Sequence, residues 1–388
     1  MSQKRNWKAR VRAAVAATAI AVGLAPLAAL PAGAATMATM VKMATTAPAA
    51  AVAAEATASV TEQARQVTYV ADFGSNTVSV INARNNRVIA TISVGTGPVG
   101  VAVTPNGNRA YVTNFESDNV SVIDTRTNTV IATIPVGNNP RGVAVTPSGN
   151  RVYVTNQGSD NVSVIDTATN TVLTTMFVGD APEGVAVTPN GTRAYVVSSG
   201  DNTVSVIDTA ANTLVDIIRV GTDPRQVAIT PNGNRAYVTN SGDNTVSVID
   251  AATDTVTRTI DLLCGSGPVG VAVSPGGKLV YVTSPQPGAA PGVVSAIATA
   301  TDAVISMIPV GNDPNGVAFT ADGARAYVAN SGSNNVSVID TRTNLVATTV
   351  AVGNFPEGVA VKRIRAVPPQ PPVARRPAAV KGDTTNAD

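Results

Sequence analysis

The sequence has no histidine at all, and only one cysteine and one tryptophan among its 388 residues. Without histidine the chain cannot form a Ser-His-Asp triad, an HExxH zinc site or a histidine-ligated haem, and it lacks the commonest general acid–base group. A single cysteine, Cys264, excludes an intramolecular disulfide and a cysteine-rich metal site. We expect Cys264 to be a small apolar residue; the alternatives are a reactive thiol or an intermolecular bridge.

The central part of the chain is also poor in positive charge. The whole sequence has a formal net charge of +2, but residues 65–361 hold 15 Arg and Lys against 21 Asp and Glu. The basic residues are concentrated at the two ends. Because a nucleic-acid-binding domain needs a basic stripe on its folded surface, we expect no nucleic-acid partner.

The two ends of the chain differ in composition from the middle. Residues 1–35 have the basic start, apolar run and small residues of a signal peptide, with cleavage after Ala34 or Ala35; the alternative is an uncleaved membrane anchor. No other stretch is apolar enough to span a bilayer. Residues 36–64, rich in Ala and Thr, are predicted to be a flexible spacer, and the Pro- and Arg-rich residues 364–388 a disordered tail.

The tetrapeptide Tyr-Val-Thr-Asn, or a near copy, recurs between these ends. Successive tyrosines are separated by 42, 42, 42, 42, 44 and 46 residues. A period in the forties with strand-like content in each unit predicts a β-propeller in which each repeat is one four-stranded antiparallel blade. The seven tyrosines are Tyr69, Tyr111, Tyr153, Tyr195, Tyr237, Tyr281 and Tyr327.

The phase of the repeats predicts how the ring closes. The repeat region, 65–363, opens on Gln66-Val-Thr-Tyr-Val70 without a preceding Gly-Val-Ala-Val strand, and it ends on Gly358-Val-Ala-Val361 without a following Tyr-Val-Thr-Asn. The C-terminal strand should therefore become the innermost strand of the first blade, which leaves no open seam. The predicted fold class is all-β, a seven-bladed propeller closed in this way.

The repeated Tyr-Val-Thr-Asn, Val-Ser-Val-Ile-Asp-Thr and Pro-x-Gly-Val-Ala-Val-Thr-Pro-x-Gly motifs resemble the YVTN-repeat β-propeller family over roughly residues 66–361. The resemblance implies a seven-bladed ring and an exported protein of the cell surface or periplasm. The family is distantly similar to lactonase-like propellers and to the haem-bearing propellers of nitrite reductases. Those enzymes use histidines or other dedicated groups that this chain lacks, so we do not transfer their activities on the resemblance.

One position of the repeat varies while its neighbours stay fixed, namely the residue after proline in Pro-x-Gly-Val-Ala-Val. Because this residue starts the innermost strand, its side chain should lie at the mouth of the central channel. Two interpretations remain open: a site for a small polar or anionic ligand, or mutual ion pairing that plugs the channel. The candidate site residues are Arg141, Glu183, Arg225, Asn315 and Glu357; the other two copies have Val99 and Val269.

These features favour a non-catalytic, exported binding or scaffold module, thus no enzyme, with neither a cofactor nor a metal. It is expected to be a monomer, secreted or attached to the cell surface, and its partner a cell-envelope or wall component or another exported protein. One alternative is a lactonase-like hydrolase or lyase, with Glu183 or Glu357 as the base and Arg141 or Arg225 as electrophilic support. Another alternative is a propeller that binds a metal or cofactor in its channel.

Overall fold

The computed structural model of the chain describes residues 66–263, 267–286 and 290–362. The segments predicted as signal peptide, spacer and tail, as well as Cys264, lie outside these residues. In the described part, regular structure is almost entirely β-strand, and its helices are three short 3-10 turns, Phe73–Ser75, Gln157–Ser159 and Ser331–Ser333. None of the described helices has the length and apolar character needed to cross a membrane.

The strands of the first half are β1 (Val67–Asp72), β2 (Thr77–Asn82), β3 (Arg87–Ser93), β4 (Pro98–Val103), β5 (Arg109–Asn114), β6 (Asn119–Asp124), β7 (Thr129–Pro135), β8 (Pro140–Val145), β9 (Arg151–Asn156), β10 (Asn161–Asp166), β11 (Thr171–Phe177), β12 (Pro182–Val187), β13 (Arg193–Ser198) and β14 (Thr203–Asp208). Those of the second half are β15 (Thr213–Arg219), β16 (Pro224–Ile229), β17 (Arg235–Asn240), β18 (Thr245–Asp250), β19 (Thr255–Asp261), β20 (Val271–Val273), β21 (Leu279–Ser284), β22 (Val293–Ala298), β23 (Ala303–Pro309), β24 (Pro314–Phe319), β25 (Arg325–Asn330), β26 (Asn335–Asp340), β27 (Leu345–Ala351) and β28 (Pro356–Lys362).

These strands form seven four-stranded antiparallel sheets, the blades of a β-propeller. Blade 1 has the order β28-β1-β2-β3, and blades 2 to 7 each take four consecutive strands from β4 to β27, innermost strand first. The pairing of β28 with β1, with Tyr69 opposite Ala360, closes the ring. The predicted fold class and closure are therefore confirmed, because the two terminal strands satisfy each other's exposed edges.

The hydrophobic core lies between neighbouring blades. Tyr69 of blade 1, for example, packs in one cluster with Val101 and Ala110 of blade 2. Each blade presents β-branched side chains on both faces, which suits strands that are covered on both sides. The buried Val, Ile and Tyr side chains therefore join the blades into a ring through seven similar interfaces.

The repeated tyrosine also makes a polar contact between blades. The hydroxyl of Tyr153 donates to Asn212 Oδ1 of the next blade at 2.8 Å, and Tyr327 of blade 7 donates to Asn86 Oδ1 of blade 1 at 3.0 Å. A hydrogen bond of this kind contributes about 1 kcal/mol. The motif that defines the repeat thus forms part of the frame, since it serves every interface alike.

Candidate functional site

The innermost strands surround an axial channel, and all begin at one face of the ring, called here the mouth face. The loops after β19 and β21, which carry the two insertions of the sequence, leave from this same face. A cavity of about 140 Å³ lies in the channel. Its lining includes all seven variable positions: Val99, Arg141, Glu183, Arg225, Val269, Asn315 and Glu357.

The repeat motif holds the backbone of these mouth residues. In blade 2, the Thr113 hydroxyl accepts a hydrogen bond from Gly100 N at 2.8 Å and donates to the carbonyl of Arg141, in the next blade, at 2.7 Å. Thr155 holds the carbonyl of Glu183 in the same way at 2.5 Å. A threonine of the repeat therefore fixes the strand while leaving the mouth side chain free to vary.

Glu183 is fully engaged by neighbouring side chains. Only 4% of its side chain is exposed, and its Oε2 lies 2.9 Å from Arg141 Nε. Its Oε1 lies 2.8 Å from Arg225 Nη1 and accepts a hydrogen bond from Gln157 Nε2 at 3.0 Å. Arg225 also pairs with Asp223 at 2.7 Å. Burial raises the pKa of Glu183, while the charges of Arg141 and Arg225 oppose that rise.

Glu357, on another side of the channel, has a different environment. It is half-buried, and its Oε2 accepts a hydrogen bond from Asn315 Nδ2. No arginine forms an ion pair with it in the described part of the chain. Burial raises the pKa of Glu357 to about 6, against the charge of Arg141 and hydrogen bonds with Asn315 and Ser331. Desolvation prevails over these opposing effects and favours the protonated form of Glu357.

Arg141 connects the two carboxylates. Its Nε pairs with Glu183, and its charge also acts on Glu357. Since 29% of its side chain is exposed and the described residues provide no partner for its Nη1 and Nη2, these nitrogens can donate to a molecule in the channel. The structure therefore brings all five candidate residues to one cavity but divides them into two groups: Arg141, Glu183 and Arg225 on one side, Asn315 and Glu357 on the other.

Three residues near the cavity were missed by the sequence interpretation: Gln157 and Ser331, each directly after a Tyr-Val-x-Asn unit, and Gln226. A signal did exist for Gln226, because it replaces the glycine of the Pro-x-Gly motif. Within 66–263, 267–286 and 290–362, no group of three or more Cys, Asp and Glu side chains could hold a metal ion.

Two protein families match separate parts of the chain. The family described as "Lactonase, 7-bladed beta-propeller" matches residues 59–183, and the family described as "Choice-of-anchor I domain" matches residues 225–352. Each match covers less than half of the chain. No curated protein matches the sequence.

Solved structures share the fold. The chain is similar to hydrazine synthase of Kuenenia stuttgartiensis, with 27% identity and a TM-score of 0.64 over 68% of this chain and 90% of that one. It is similar to a proposed 6-phosphogluconolactonase from Bacteroides fragilis, with 17% identity and a TM-score of 0.66 over 76% of this chain and 98% of that one. A proposed 6-phosphogluconolactonase from Bacteroides uniformis has 16% identity and a TM-score of 0.66 over 76% of this chain and 99% of that one.

The match of residues 59–183 to the lactonase family contradicts two predictions: that the protein is a non-catalytic binding or scaffold module, and that it is no enzyme. Both were wrong for a physical reason. The lack of histidine excludes chemistry that depends on histidine, but it does not exclude a carboxylate base. Burial in the channel gives Glu357 a pKa of about 6, which suits a base at neutral pH.

Proposed function

We propose that the protein is a hydrolase of the lactonase type, which opens a small cyclic ester in the channel with Glu357 as the general base. The observation that carries the proposal is the half-buried Glu357, whose pKa is raised to about 6 and which forms no ion pair in the described residues. The match of residues 59–183 to a family of seven-bladed lactonases supports the same reaction class.

Glu357 suits the role of base better than Glu183. A base must accept a proton from water, so at least one of its oxygens must be able to reach that water. Both oxygens of Glu183 are held by arginines, and its side chain is only 4% exposed. Among the described residues, the carboxylate of Glu357 is hydrogen-bonded by the neutral groups Asn315 and Ser331, and it lines the cavity that a water molecule would enter.

The reaction follows from these positions. Glu357 takes a proton from a water molecule while the water oxygen bonds to the lactone carbonyl carbon, whose oxygen becomes negatively charged. The free guanidinium nitrogens of Arg141 stabilise that oxyanion through charge-assisted hydrogen bonds. The ring C–O bond then breaks, and the proton on Glu357 passes to the departing ring oxygen. One lactone and one water give one hydroxy acid, and Glu357 is regenerated.

The cavity limits the size of the substrate. Its volume of about 140 Å³ is below the roughly 300–1,000 Å³ of ordinary small-molecule sites, so we expect a single small ring to fill it. Arg225 and Glu183 already neutralise each other, together with Asp223. Among the described residues that line the cavity, Arg141 is therefore the cation with which a strongly anionic substrate can pair.

Turnover of a lactone panel tests the proposal. The purified protein should open glucono-δ-lactone or δ-valerolactone faster than the spontaneous reaction, followed at constant pH by titration of the acid released. The Glu357→Gln variant should give only the spontaneous rate. If wild-type protein accelerated neither lactone, or if Glu357→Gln kept the wild-type rate, the proposal would be wrong.

Membership of the YVTN-repeat family and export from the cytoplasm are part of the proposal. The seven tyrosine-centred repeats support the first, and the basic-then-apolar start of the sequence supports the second. A cell-envelope or wall component, or another exported protein, is then the class of partner that the protein meets. Fractionation of cells, with N-terminal sequencing of the mature protein, should place it outside the cytoplasm with a new N-terminus after Ala34 or Ala35; a cytoplasmic protein that retains Met1 would contradict export.

A further inference from the structure

Gln226 occupies a position that is glycine in every other blade. In the Pro-x-Gly motif, the third residue is Gly100, Gly142, Gly184, Gly270, Gly316 or Gly358 in the other six blades. At five of these positions, a Cβ would lie 2.2–2.5 Å from the backbone carbonyl oxygen of the next blade; the exception is Gly184, which faces Gln226 itself. Glycine is therefore required there by the close approach of neighbouring innermost strands.

The blade after Gln226 differs from the others. Its innermost strand, β20 (Val271–Val273), begins three residues later in the motif than the innermost strands that start on proline. The preceding connection, 262–270, contains one of the two insertions of the sequence. The side chain of Gln226 itself turns towards the preceding blade, where its Oε1 lies against Gly184.

The amide of Gln226 has a defined orientation. Its Oε1 accepts a hydrogen bond from Val227 N at 3.0 Å, and it lies against Gly184, where a Cβ would come within 2.2 Å of it. Because a backbone N–H needs an acceptor, the oxygen must face Val227 and the Nε2 must point away from it. Gln226 is half-buried and lines the channel cavity, and Nε2 has no partner among the described residues.

Gln226 lies across the channel from Glu357. Blade 5, which carries Gln226 on β16, is separated from blade 1, which carries Glu357 on β28, by two blades on one side and three on the other. In a seven-membered ring this is the largest separation that two blades can have. A small ring held between them would contact Glu357 on one side and the free Nε2 donor on the other.

We infer that Gln226 is a specificity-determining residue, whose Nε2 donates to an acceptor oxygen on the part of the substrate remote from the scissile carbonyl. This inference rests on the proposed lactone hydrolysis. It predicts preference for a lactone that carries such an oxygen over an unsubstituted ring of the same size. The donor has no partner among the described residues, so a ring that carries an acceptor oxygen gains a hydrogen bond that an unsubstituted ring cannot form, and the preference follows from that bond.

Two variants test the Nε2 donor of Gln226 without disturbing the fold. Gln226→Gly restores the residue that the other six blades carry, so the ring should fold normally. Gln226→Glu keeps an oxygen for Val227 N but removes the donor. Asn106→Ser serves as the matched control. Asn106 lies in the Pro105-Asn106-Gly107 turn, at the end of the innermost strand that is remote from the mouth face, and the next repeat has Ser148 at this position.

The first measurement is the ratio of kcat/KM for glucono-δ-lactone to kcat/KM for δ-valerolactone. The second is the affinity for δ-gluconolactam, which resists hydrolysis, measured by calorimetry. Both Gln226 variants should lower the ratio about 10-fold, equivalent to about 1.4 kcal/mol, by raising KM for the hydroxylated lactone, and weaken lactam binding equally. Valerolactone kinetics, the melting temperature and Asn106→Ser should remain at wild-type values.

The outcomes distinguish this inference from the proposed function. A wild-type protein that opens lactones, with an unchanged ratio and unchanged lactam binding in Gln226→Gly, would overturn the role of Gln226 and leave the hydrolase proposal intact. A wild-type protein that opens neither lactone and does not bind the lactam would overturn both. Equal losses on both lactones with a lowered melting temperature would show a structural role only, which also overturns the inference.

Discussion

Glu183 and Glu357 occupy the same position of the repeat, yet their surroundings give them different properties. Glu183 lies between Arg141 and Arg225 and is held on both oxygens, whereas Glu357 faces the amide of Asn315 and forms no ion pair within the described chain. Burial acts on both carboxylates. The neighbours in the ring therefore decide which carboxylate stabilises the channel mouth and which can exchange protons.

The largest expected effect is the loss of lactone opening when Glu357, rather than Glu183, is replaced. Glu357→Gln should lower the rate of lactone opening about 10²–10⁴-fold, down to the spontaneous rate, because it removes the proton acceptor while preserving the shape of the side chain. Its melting temperature should change little. Stopped-flow or pH-stat rates with wild-type and variant protein at pH 7 provide the measurement, and a loss below 3-fold would show that Glu357 is not the base.

Asp72 sharpens the comparison, because burial raises its pKa to about 6 as well although it does not line the channel cavity. It is fully buried, accepts from Ser79 at 2.7 Å and Thr77 at 3.1 Å, and its Oδ1 has no partner among the described residues. Asn240 occupies the same position in blade 5 with the same Thr and Ser partners, both at 2.9 Å.

Asp72→Asn should therefore stabilise the fold without affecting turnover. The folded-state pKa is raised from 3.8 to about 6, so the ionised group destabilises the folded state progressively as the pH rises from about 4 to 6, reaching about 3 kcal/mol above that. Urea unfolding from pH 4 to 8 should show the variant gaining over wild type as the pH increases. A constant difference across that range would refute the raised pKa.

Glu183→Gln should affect stability more than Glu357→Gln does. It leaves the guanidinium groups of Arg141 and Arg225 without a carboxylate between them. Breaking a buried ion pair costs about 3–5 kcal/mol, and we expect about 2 kcal/mol here because both arginines are about one-third exposed. Chemical denaturation of the two variants side by side is the test, and equal losses of stability would remove the distinction between the two carboxylates.

The smallest expected effect is a shift of the pH profile. The Asn315 amide favours the ionised form of Glu357, so Asn315→Ala should raise the pKa of Glu357 further. The base acts only when it has lost its proton, and the acidic limb of kcat/KM should therefore move to higher pH by about half a unit to one unit. The matched control Asn330→Ser, a change already present at Ser198 and Ser284 of the repeat, should leave the limb unchanged.

The sequence predicted the ring, and it predicted that the variable residues lie around the mouth of the channel, but it did not predict their chemistry. Seven tyrosines and the phase of the terminal strands indicated the closure that β28 and β1 make. Variation after the repeated proline indicated the mouth residues. The difference between Glu183 and Glu357 was not predictable, because it depends on which side chains meet across the ring and on how far burial outweighs nearby arginines.

Gln226 shows a second case in which the sequence was not sufficient. The sequence shows that Gln226 replaces the glycine of the Pro-x-Gly motif. Only the structure shows why that replacement is unusual, because the innermost strands approach so closely that a Cβ at this position would meet a carbonyl oxygen of the next blade. The absence of histidine removes one kind of base only. The proposed base is instead a carboxylate at the channel mouth, whose pKa is raised by desolvation.

The pH dependence of kcat/KM for glucono-δ-lactone in wild type and Glu357→Gln is the most direct test of the central claim. We predict that the wild-type value rises as the pH increases through about 6, where Glu357 loses its proton, and reaches a plateau near neutrality. The variant should lack that limb and remain at the spontaneous rate. A variant with the same limb and plateau as wild type would contradict the account.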